Sequence, residues 1–145
     1  MKTKLIYFLI TFIFLISIST CFSQKYSSTN LPDKQLVFGS GGGASGQVKK
    51  YILLENGQLF SYNSLKKKTK EIKKANKEEA AKIFADLKAL DLEKMNFNHP
   101  GNMTYFIRKK EGVDETEVRW GSPDHQEPAE IKEFYKRLTA LVKSK

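Results

Sequence analysis

The chain has 145 residues, with 25 lysines and arginines against 16 acidic residues and a formal net charge of +9. That length supports one hydrophobic core of ordinary size, and the single cysteine excludes an internally disulfide-stapled scaffold. The basic balance favours anionic partners, and it also serves solubility.

Lys2 and Lys4 precede an apolar run from Leu5 to Ile18, which is followed by small polar residues. This is the order of a secretory signal peptide, and the run is shorter than the ~20 residues that cross a bilayer. Residues 1–23 are therefore expected to be a signal peptide, and the mature protein to be exported to the periplasm or the medium. The first 23 residues hold two lysines and no acid, so the mature charge falls to +7. Cys21 and Ser23 suit the −3 and −1 sites of ordinary signal peptidase. Alternatively, Ile18-Ser19-Thr20-Cys21 is similar to a lipobox, in which Cys21 is lipidated and anchors the protein to the envelope. Thr20 departs from that pattern, so soluble release is preferred.

Residues 24–35 are polar and without period, and read as a flexible tether. Residues 36–145 read as a single α+β domain. Leu36 to Phe38 is a short strand leading into Gly39-Ser40-Gly41-Gly42-Gly43-Ala44-Ser45-Gly46. Val48 to Leu54 and Gln58 to Tyr62 are strands joined at Asn56-Gly57. The lysine-dense stretch from Leu65 to Lys74 holds a short edge strand near Glu71 to Lys73, where lysines discourage sheet-to-sheet association. Asn76 opens a helix as N-cap, with Ala80, Ile83, Phe84, Leu87 and Leu90 on one apolar stripe. Met103 to Arg108 and Glu115 to Trp120 are strands, the second with Val118 and Trp120 facing inward. Pro128 opens a last helix whose buried face is Ile131, Phe134, Leu138, Leu141 and Val142. The fold class that follows is α+β. It is a two-layer sandwich in the order ββα-ββα, with a mainly antiparallel sheet of about 4–6 strands and two amphipathic helices on one face.

Gly41, Gly43 and Gly46 match G-x-G-x-x-G, yet a strand follows where a dinucleotide fingerprint needs a helix N-terminus. The kinase-type loop and the Walker A loop lack their partner residues here. No nucleotide and no cofactor is expected. The segment is instead read as a loop rich in exposed N–H groups, with Gly39, Ser40, Gly41, Gly42, Gly43, Ser45, Gly46 and Asn102 as candidate ligand-binding residues. A second candidate comes from topology. An antiparallel hairpin of the last two strands brings His99 and Asn102 beside Ser122, Asp124 and His125. His99, Asp124 and His125 then form a possible three-ligand metal site for a hydrolase. The lysine run lacks interleaved arginines and exposed aromatics, which argues against nucleic acid.

The strings FGSGGGASG at Phe38–Gly46, YILLENGQLF at Tyr51–Phe60, PGNMTYF at Pro100–Phe106 and Trp120-Gly121 carry a resemblance. They are similar to an uncharacterised family of small exported, in part lipoprotein-like proteins of Gram-negative bacteria. The resemblance implies export and no particular activity. The expectation is a non-enzymatic periplasmic or envelope-associated binding module for a protein, a peptide or an anionic envelope component, with the metal-dependent hydrolase as the alternative.

Overall fold

A computed structural model describes residues 24–144, so the expected signal peptide and Cys21 lie outside the described residues. The elements run β1 (Gln35–Gly42), β2 (Gln47–Leu53), β3 (Gln58–Asn63), β4 (Lys68–Lys74), α1 (Lys77–Leu90), the single turn α2 (Leu92–Met95), β5 (Met103–Glu111), β6 (Asp114–Trp120) and α3 (Ala129–Lys143). The strands form one six-stranded sheet in the order β4-β3-β2-β1-β5-β6. Every pairing in it is antiparallel.

The class is α+β as expected, but four strands rather than two precede the first helix. All four have counterparts along the sequence, but β1 and β4 extend well beyond the short pieces marked at Leu36 to Phe38 and Glu71 to Lys73. Glycine and lysine both have low strand propensity. Yet β1 runs on through Gly39 to Gly42 as the central strand, and the lysine run extends to a full edge strand, β4. A central strand that neighbours approach closely suits glycine, and an edge suits lysine.

Alternation along each strand sorts the side chains onto two faces. Leu36 and Phe38 of β1, Leu53 of β2, Leu59 of β3, Ile107 of β5 and Val118 and Trp120 of β6 meet the helices. There they pack with Ile83 and Leu87 of α1 and with Ile131, Phe134, Leu138 and Leu141 of α3. Asn76 caps α1 by accepting from the Glu78 N–H at 2.9 Å, and Asp86 of α1 pairs with Arg137 of α3 at 2.6 Å. Lys73 donates to the carbonyls of Leu141 and Ser144 and so fastens the end of α3 to the sheet.

The opposite face carries a smaller apolar cluster of Val37, Ile52, Leu54 and Phe60, on which Tyr26 and Leu31 pack. The stretch expected to be a tether is thus seated on the sheet at its two apolar residues. Gln58, 1% exposed, fixes it there. Its Oε1 accepts from the Tyr26 N–H at 2.8 Å and from Asn56 Nδ2 at 2.7 Å, while its Nε2 donates to the Tyr26 carbonyl and to Glu71. A Gln58→Leu substitution keeps the volume but leaves the Tyr26 backbone groups unpartnered. The expected cost is about 1–3 kcal/mol, read by urea denaturation, with hydrogen exchange accelerated at Tyr26. Unchanged stability would show that this segment adds nothing to the fold.

Candidate binding groove on the open sheet face

Residues 24–34 cover only part of the face opposite the helices. Beyond them a depression of about 450 Å³ lies over β1, with Val48 and Lys50 of β2 on one side and Thr104 and Phe106 of β5 on the other. Register explains its shape. Gly39 stands between Lys50 and Phe106, and Gly41 between Val48 and Thr104, so beyond Val37 side chains flank a central strand that has none on this face. The two glycines differ in what they permit. A Cβ on Gly39 would overlap the Lys49 carbonyl oxygen and lie 2.8 Å from Lys50 Cα, whereas a Cβ on Gly41 would meet the Val48 side chain at 2.8 Å.

The far wall is charged. Arg108 donates through Nε and Nη2 to one oxygen of Glu117, at 2.8 and 2.7 Å, and its Nη1 lies 3.2 Å from Glu115. Arg119 Nε stands 3.5 Å from the other oxygen of Glu117. Lys50 Nζ lies 4.6 Å from the centroid of the Tyr62 ring, a cation–π contact. The lining thus holds three cations, Lys50, Arg108 and Arg119, and one carboxylate, Glu117, so its formal charge is positive even though both arginines are paired.

The candidate glycine segment is divided by the fold. Gly41, Gly42 and Asn102 line the groove. Gly39 is buried beneath it, and Ser40 points to the helix side, next to Tyr135. Gly43, Ser45 and Gly46 form the turn into β2, where Gly43 N–H donates to the Asn102 carbonyl at 2.9 Å. Gly39 to Gly42 pair with β2 and β5, so they are ladder residues and not the loop of exposed N–H groups that the sequence suggested. Val48, Lys50, Thr104, Phe106, Arg108 and Arg119 were missed. Their period-two alternation marks them as one face of their strands, but only the pairing of β1 with β5 gathers them.

The hairpin of β5 and β6 does bring the two histidines together. Their rings stack with centroids 3.7 Å apart and planes 7° from parallel, and Phe97 meets His99 edge-on at 4.7 Å. The lone pairs of stacked rings lie in separate parallel planes and do not converge on one ion, whereas zinc needs nitrogens aimed at it from about 2.0–2.1 Å. Among the described residues no group of three His, Cys, Asp or Glu side chains is placed to hold a metal, and Asp124 is exposed. In this arrangement the pair ties the 121–128 loop to the 97–99 segment, which itself bonds to Arg119 on the edge of β6.

Beneath the groove, Tyr135 of α3 donates its hydroxyl to the Gly39 carbonyl at 3.0 Å and packs edge-on against Trp120, with ring centroids 5.0 Å apart. Burial, reinforced by Tyr105 and Tyr51, pushes its phenol up to about 12. No family model matches the chain, and no curated protein shows significant sequence similarity to it.

Two measurements follow from this geometry. Gly39→Ala meets backbone that cannot yield and is expected to cost roughly 3 kcal/mol, while Gly41→Ala meets a side chain and costs about 1 kcal/mol. Denaturation midpoints check the order, and equal losses would contradict the close approach at Gly39. For Tyr135 the raised value favours the protonated phenol in the fold. Its contribution is fully present below about pH 10, the unfolded value, and is lost as pH rises through about 12. Tyr135→Phe should flatten the fall in stability over that window. A slope identical to wild type would show that the phenol is not held this way.

Proposed function

We propose that this chain is an exported, non-enzymatic binding module, and that its groove takes an extended acidic peptide segment of a partner protein. The observation that carries the reading is the side-chain-free strip at Gly41, flanked by Val48 and Thr104 and bordered by Lys50, Arg108 and Arg119. Its volume lies within the range of ligand sites, and it combines apolar walls with a few placed polar groups. A backbone can settle on the glycine strip, the stems of its side chains against Val48 and Phe106. Acidic groups then reach Lys50 on one flank and Arg119 on the other. Export rests on the charge and hydropathy order of residues 1–23.

The binding surface is then a sheet face and not a loop. It leaves the glycine turn as a boundary of the site, since Gly42 and Asn102 close one end of the groove. The metal-dependent alternative has no comparable support from the stacked histidines.

Short extended peptides alternating glutamate with valine, and their glutamine counterparts, provide the test. Titration followed by amide NMR is expected to move Gly41, Val48 and Thr104, with the acidic series binding at least tenfold tighter. A Lys50→Glu, Arg119→Glu double substitution is expected to abolish that preference. Shifts confined to the helix side, or equal binding of the two series, would overturn the proposal.

A further inference from the structure

The two halves of the sheet differ in charge. Residues 47–74, which hold β2, β3 and β4, contain eight lysines and two glutamates. Residues 103–120, which hold β5 and β6, contain four cations and four acids, and all of these but Asp114 pair with one another, Arg108 with Glu115 and Glu117 and Lys109 with Glu111 among them. On the first half, Lys73 is committed to the end of α3, and Lys50 belongs to the groove on the opposite face. Lys49, Lys66, Lys67, Lys68 and Lys70 are exposed and make no ion pair among the described residues.

Register gathers these lysines. Lys68 pairs with Asn63 and Asn63 with Lys49, so the two lysines share a face, about 10 Å apart at the usual strand spacing. Lys70 follows on the same face, opposite Ser61. Lys66 and Lys67 lie in the adjoining turn between β3 and β4. At that turn stands Leu65, 67% exposed, whose N–H is held by Asn63 Oδ1 at 2.9 Å. An isolated exposed leucine is ordinary. This one sits on a tight turn inside a collar of lysines. The molecule also contains a contrast, because Val113, 97% exposed at the far end of the sheet, is flanked by Glu111, Asp114 and Glu115.

We propose that the β3–β4 end of the sheet docks on an anionic lipid bilayer. Lys49, Lys66, Lys67, Lys68 and Lys70 lie against the headgroups, and Leu65 enters the boundary with the acyl chains. Basic side chains near an anionic surface each add to the attraction, and an inserted apolar group converts that attraction into a specific preference for a membrane over a soluble polyanion. The neutral, cross-paired β5–β6 half and the acidic Val113 turn then face away from the surface. This proposal is independent of the groove reading, for it uses different residues.

The test is co-sedimentation with phosphatidylglycerol–phosphatidylcholine vesicles and with pure phosphatidylcholine vesicles. All forms carry the same N-terminus, and the readout is the ratio of the two partition coefficients, because an apolar N-terminal segment raises both. Wild type is expected to favour the anionic vesicles at least tenfold, and to lose that preference at 1 M salt, where the Debye length is about 3 Å. Replacing Lys49, Lys68 and Lys70 together by Gln is expected to remove most of the preference. Leu65→Ser is expected to weaken partition onto anionic vesicles about fivefold, and Val113→Ser to leave it unchanged. No preference for the anionic vesicles overturns the proposal. So does wild-type partition by Leu65→Ser, which would assign the lysines to a soluble polyanion, or an equal loss on Val113→Ser.

Discussion

At Gly39 the central strand passes its neighbour with no room for a β-carbon, because the Lys49 carbonyl and the Lys50 Cα occupy that space. Much of the molecule hangs on this passage. Strand β1 is the one strand that both hairpin systems share, pairing with β2 on one side and β5 on the other. It is also where the second layer is fixed, since Tyr135 reaches through the aromatic cluster to donate to the Gly39 carbonyl. A side chain at this point would force β2 outward, open the ladder at the sheet centre and disturb the seat of α3 together. The groove on the other face is the visible side of the same constraint.

The two faces are closed by different means. Two amphipathic helices bury the inner face through leucine, isoleucine and phenylalanine, in one continuous core. The outer face is closed by a polar stretch with only Tyr26 and Leu31 to bury, and the buried amide of Gln58 supplies what apolar area does not. This cover stops short of Gly41. The surface it leaves is partly apolar, lined by charged side chains and floored by backbone, which sets it apart from both the dry core and the solvated helix faces.

Legibility in the sequence followed the source of each signal. The helices were legible because period and cap agreed, at Asn76 and along Ile131 to Leu141. The β5–β6 hairpin was legible because Thr116, Val118 and Trp120 alternate cleanly, and with it the meeting of His99 and His125. How those rings meet was not, since stacking or convergence depends on loop geometry that no period encodes. The extent of β1 was hidden because glycine has no side chain with which to show alternation. The groove was hidden for a deeper reason. Its walls come from β2 and β5, separated by two strands and two helical segments in the chain, and nothing local states that both pair with β1.

The lysine run shows where one physical explanation ends and another begins. Open edges of a sheet invite association, and the two edges here are blunted differently. On β6, residues 97–99 bond to the backbone of Arg119 and cover part of the edge. On β4, lysines within the strand, with a bulge opposite Leu59 and Phe60, serve the same end. Edge protection accounts for Lys68, Lys70 and Lys74, which lie in the ladder. It does not account for Lys66 and Lys67, which lie outside the ladder, for Lys49, which belongs to an interior strand, or for Leu65, which an edge under protection would do better without. Those four residues share one end of the sheet, and none of the three lysines makes an ion pair among the described residues. A surface that presses on that end from outside the molecule explains them jointly, whereas protection of β4 explains none.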